Sequence, residues 1–112
     1  MIYYSSEQRE NTPVVVDAIL QRYFKGNKYG ANILIDNGKV ENIEICKVSS
    51  DNTWTHHANI CLYDDDIWEV NTQFNGEQEN EMWVYKYFTR LGDACRFVLN
   101  GKFRGMKPIN VY

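Results

Sequence analysis

A chain of 112 residues that is 44% apolar and 14% aromatic has the length of one domain and ample material for a core. High apolar content with a net charge of only −3 excludes intrinsic disorder, and the mild acidic excess argues against unspecific nucleic-acid binding, which needs a basic face. No apolar run approaches the roughly 20 residues that a membrane-crossing helix needs.

The first residues, Met1 to Glu7, have neither a basic start nor an apolar stretch, so no signal peptide is expected. Cys46, Cys61 and Cys95 are odd in number, widely spaced and set in apolar runs. They read as reduced thiols packed like small hydrophobes, and the chain as cytoplasmic.

In chain order, residues 2–5 suggest a short strand and residues 6–12 a polar loop. A helix follows, with Thr12 as its cap and Pro13 at the first helical position, where the missing N–H costs nothing. Val16, Ile19, Leu20, Tyr23 and Phe24 recur at helical spacing and fall on one face. Gly26 is a natural stop.

Ala31 to Ile35, Asp36-Asn37-Gly38 and Lys39 to Val48 spell a hairpin. A two-residue Asn37-Gly38 loop pairs Ile35 with Val40 and, by strict alternation, puts Ile43 and Ile45 on the face opposite Ile33 and Ile35. A three-residue loop, with Gly38 left-handed in a bulge, pairs Ile35 with Lys39 and gathers all four isoleucines on one core face. The second register is the expected one. The opposite face, with Leu34, Cys46 and Val48 among polar neighbours, is where helices or a partner would sit.

A second hairpin runs from Trp54 to Tyr63, turns at Asp64-Asp65-Asp66 and returns from Ile67 to Phe74. Alternation assigns His56, Ala58, Ile60, Leu62, Trp68, Val70 and Phe74 to an apolar face. It assigns His57, Asn59, Cys61, Tyr63, Ile67, Glu69 and Asn71 to a wetter one. A third turn spans Asn75 to Asn80, before a strand from Met82 to Phe88 that is apolar on both sides. Met82, Val84 and Phe88 take one face of it; Trp83, Tyr85 and Tyr87 take the other.

A second helix begins near Thr89 or Arg90, carries the stripe Leu91, Ala94, Cys95, Val98 and Leu99, and stops at Gly101. A basic tail with Pro108 ends in a short strand from Ile109 to Tyr112. The expected fold is therefore a single α+β domain: an antiparallel meander of five or six strands with two helices packed on one face.

Motifs with chemistry are scarce. His56 and His57 are strand neighbours and point to opposite faces. His57 and Cys61 share a face but stand about 13 Å apart in an extended strand, too far for a thiolate–imidazolium pair. No CxxC or HxxxH occurs, so no zinc is expected. The Asp64-Asp65-Asp66 run lacks the calcium-loop spacing, and a hairpin turn favours Asp on conformational grounds alone. Gly101-Lys102-Phe103-Arg104-Gly105 is not a phosphate-binding loop. No cofactor and no metal are expected.

The aromatic residues remain. Tyr, Trp and Arg dominate binding hot spots, and Trp83, Tyr85, Tyr87, Arg90, Tyr63, Asp64, Asp65 and Asp66 lie on neighbouring elements. They are the expected binding residues of a mixed aromatic and charged face. The leading expectation is a small non-enzymatic module, an inhibitor, adaptor or accessory factor, that binds a larger protein. Small proteins of phages and mobile elements, including inhibitors of host defence, share this size and style. A second reading is single-stranded nucleic-acid contact through sheet aromatics and the basic tail of Arg96, Lys102, Arg104 and Lys107. A third is a small enzyme with a His/Cys pocket. An open sheet face would also permit a homodimer.

Overall fold

The computed structural model describes residues 2–5, 11–26, 28–73 and 82–111. Five long antiparallel strands form a meander: β2 (Tyr29–Asp36), β3 (Lys39–Val48), β4 (Trp54–Asp64), β5 (Ile67–Gln73) and β6 (Met82–Phe88). Two-residue strands extend it at both edges, β1 (Tyr3–Tyr4) beside β2 and β7 (Asn110–Val111) beside β6, so the sheet reads β1 to β7 in sequence order. Helix α1 (Val14–Tyr23) joins β1 to β2, and α2 (Leu91–Asn100) follows β6. The expected third turn, Asn75 to Asn80, lies outside the described residues, as do Phe74 and most of the 6–12 loop.

One pair departs from an all-antiparallel sheet: β1 runs parallel to β2. The helix between them carries the chain back to the end it started from, as a parallel pair requires. Helix and strand are tied by side chains. The Tyr4 hydroxyl donates to Asp17, and Ile2 N–H donates to Gln21 Oε1 at 3.2 Å.

Helix α1 begins one residue later than its sequence suggests. Pro13 is the extended N-cap, with ψ 138°, and no side chain caps the helix there. The stripe itself holds: Leu20 and Phe24 are fully buried and Val16, Ile19 and Tyr23 half-buried, while Val14 and Val15 stand in solvent. Helix α2 is capped by extended Arg90 and left-handed Gly101, with Leu91, Ala94, Cys95 and Val98 buried. Both helices pack over Ala31, Ile33, Ile43, Ile45, Ala58, Ile60 and Val70.

The first turn corrects the expected loop. Asp36 pairs with Lys39 and Ile35 with Val40, so the loop is the two-residue Asn37-Gly38 turn. Both residues have positive φ, 52° and 74°, as a type I′ turn requires. The isoleucines still share the core face, because a β-bulge just inside the turn carries the register from Ile35–Val40 to Leu34–Asn42. Glu41 is the extra residue, and it resets the phase that strict alternation would have broken. A Cβ added at Gly38 would meet open space, so Gly38→Ala tests backbone strain alone. It is expected to cost roughly 1–2 kcal/mol in urea unfolding.

The other three pairings among the long strands carry one bulge each. His57 is the extra residue between β4 and β3, Tyr63 between β4 and β5, and Tyr85 between β6 and β5. The second turn is accordingly Asp65-Asp66, closed by Asp64 paired with Ile67, and not a three-residue loop.

Candidate functional site

These bulges decide which side chains meet. His57 faces the helices: its ring lies 5.3 Å from that of Phe103, and its Nε2 is 3.3 Å from the Val98 carbonyl. His56 takes the other face, opposite Cys46. That reverses the assignment made by alternation, and the extra residue is the cause.

The same effect divides the expected aromatic face. Tyr85 is buried against Phe103, ring centres 5.5 Å apart, and Trp83 packs half-buried against the same core. Tyr87 pairs with Glu69 on the far side of the sheet, where its ring packs 5.0 Å from that of Tyr63 with the planes tilted by 57°. Arg90 caps α2 on the helix side, away from that pair. Of the expected residues, the structure therefore brings together Tyr63, Tyr87 and the turn Asp64, Asp65 and Asp66. It separates them from Trp83, Tyr85 and Arg90. Asp65 reaches across to Lys39 at 2.9 Å, which joins the tips of the two hairpins, and Lys39 holds its carboxyl below the usual range.

Behind Tyr63 and Tyr87, the face of the sheet opposite α1 and α2 carries a polar ladder that the sequence does not announce. Asn32 Nδ2 donates to Glu44 Oε1 at 2.9 Å, and Glu44 Oε2 meets His56 Nδ1 at 2.7 Å. One rung further, Cys61 Sγ donates to Asn42 Oδ1 at 2.8 Å, and Asn71 Nδ2 donates to Glu69 Oε1 at 2.8 Å. Asn59, Glu69 and Asn71 are buried. Two buried polar atoms lack a partner among the described residues, His56 Nε2 and Asn71 Oδ1, and both belong to this ladder. Buried polar atoms are normally paired, so two orphans on one face mark it as unusual. The only signal in the sequence is the polar half of the β3–β5 alternation, and it does not reveal which side chains bond.

Glu44, His56 and Cys46 invite comparison with a carboxylate–imidazole–thiol set. Burial alone would raise the Glu44 carboxyl, but hydrogen bonds from Asn32 and His56 bring it below its ordinary value. Burial, helped by Glu44, pushes the Cys46 thiol up to about 11. A nucleophile needs the opposite shift. Burial also raises Cys61, and takes Cys95 up to about 12. Among the described residues, no three ligating side chains converge as a metal site would need, and no helix is long and apolar enough to cross a membrane.

No family model, no curated protein and no solved structure matches this chain.

Proposed function

We propose that the protein is a non-enzymatic binding module that presents the face of its sheet opposite α1 and α2 to a larger protein. The observation that carries this reading is the Tyr63–Tyr87 pair. Tyr63 is 59% exposed, although it packs against a second tyrosine beside an acidic turn. Tyrosine offers large, rigid contact area with a polar tip, which suits the centre of an interface. Asp64, Asp66 and half-buried Glu44 supply a charged surround, so a partner with a basic rim around an apolar pocket fits best.

The raised thiols support binding over nucleophilic catalysis. The acidic surround weighs against a phosphate backbone on this face. Within the proposal, the protein acts in the cytoplasm as an inhibitor, adaptor or accessory factor, and an origin in a phage or mobile element suits its size.

The test uses immobilised protein and the partner it retains from lysate. Tyr63→Ala with Tyr87→Ala is expected to weaken that partner by roughly 30-fold, the effect of losing a 2 kcal/mol hot spot. Unchanged retention by a variant with a wild-type melting curve would reject this face.

A further inference from the structure

The opposite side of the molecule holds a second charged feature. Between α1 and α2 lies a cleft of about 440 Å³ lined by Ile19, Arg22, Tyr23, Arg90, Leu91, Asp93 and Arg96. That volume is within the range of small-ligand sites. In a protein of net charge −3, three guanidiniums share this cleft with one carboxylate. None of the three forms an ion pair among the described residues, where Lys39 pairs with Asp65.

Two of the guanidiniums, those of Arg22 and Arg96, rest against one aromatic ring. The Tyr23 ring lies 5.7 Å from the Arg22 guanidinium carbon and 5.8 Å from that of Arg96, so one ring carries two cations. A guanidinium resting on an aromatic face keeps its N–H edge free for a forked hydrogen-bonded pair with an oxyanion. Gly92 contributes by its smallness. A Cβ there would lie 3.0 Å from the Tyr23 hydroxyl, so glycine lets that ring sit a few tenths of an ångström closer to the first turn of α2. The adjoining cleft shares Arg96 and Asp93 and adds Lys86 and Lys102, which extends the positive field.

We infer that this cleft binds a phosphomonoester group. Three guanidiniums and one carboxylate leave two positive charges, which match the nearly divalent monoester at neutral pH. A carboxylate brings one charge, and a phosphodiester one per unit. The planar fork of arginine suits phosphate oxygens, and Arg clusters are a recurring means of reading phosphorylated groups. The apolar floor of Ile19, Leu91 and Tyr23 accommodates whatever carries the group. The site lies on the helix side and does not depend on the Tyr63–Tyr87 reading.

Calorimetric titration tests this with four probes: a phosphoserine peptide, the same peptide with glutamate, AMP, and a single-stranded oligonucleotide without terminal phosphate. A phosphomonoester probe is expected to bind saturably. Its affinity should fall several-fold between neutral pH and pH 5, as the group loses its second charge near pH 6. Arg22→Gln with Arg96→Gln should weaken it roughly 10- to 100-fold. Arg96→Lys, which keeps the charge and loses the fork, should fall between. Binding of the phosphopeptide alone identifies a modified protein as the source; binding of AMP alone identifies a small phosphate ester; binding of both shows that the group itself is what is read. Equal affinity for the glutamate peptide or the oligonucleotide overturns the inference. So does an absence of saturable binding, or full affinity in the folded double-glutamine variant.

Discussion

Acidification from pH 7 to pH 4 is expected to remove about 3 kcal/mol of stability through His57 alone. Burial is the largest cause; the hydrogen bond to the Val98 carbonyl opposes it, the charges of Lys47 and Arg104 add to it, and the imidazole falls from 6.5 to about 4. The hydrogen bonds show why the neutral ring is required. Arg104 lies 2.9 Å from Nδ1 and can only donate, so Nδ1 must keep its lone pair, and Nε2–H then serves the Val98 carbonyl. Protonation would set an imidazolium against a guanidinium in a site that is 5% exposed. The unfolded chain binds this proton near pH 6.5 and the folded chain only near 4, so the contribution is complete above 6.5 and is lost as pH falls to about 4. Set against a total of roughly 5–15 kcal/mol, that is a large share. His57→Gln keeps a donor and an acceptor but does not titrate. Urea midpoints of the two proteins, measured across this window, should converge as the wild type loses its excess. Parallel curves would show that His57 does not govern the loss.

His57 also illustrates what a sequence can and cannot reveal. The helical stripes, the position of the first turn and the hairpin order are legible, because glycines and periodicity are local signals; the length of that turn is not. Phase along a strand is not local. Each bulge inserts a residue of ordinary type, Glu41, His57, Tyr63 or Tyr85, and its effect exists only in the pairing with a neighbour. Once Tyr85 is the extra residue, Tyr87 leaves the face of Trp83 and joins Tyr63. The residues expected on one aromatic face are thus divided between the two faces of the sheet. The arginine cleft is hidden for a related reason. Arg22 lies 68 positions before Arg90, and only the packing of α1 against α2 brings them to one cleft.

Phe24→Ala is expected to cost about 3–5 kcal/mol, the range for removing a fully buried aromatic ring. The effect is large because α1 has few anchors. Within the helix only Leu20 is buried, and Phe24, just past its end, is the second residue of this segment with no exposed surface. Its ring lies 5.2 Å from that of Tyr29, the first residue of β2, so it joins the end of the crossover to the sheet. Its N–H also closes the last turn of α1 on the Leu20 carbonyl, a bond that alanine retains. The loss is therefore one of packing, and Phe24→Leu should recover much of it. Val15→Ala, at a position 71% exposed, should change stability by less than about 0.5 kcal/mol. If urea unfolding gave similar small losses for Phe24→Ala and Val15→Ala, the crossover would be held by something other than this ring. The arginine cleft would respond as well, since Tyr23 and Arg22 directly precede Phe24 and depend on α1 keeping its place against α2.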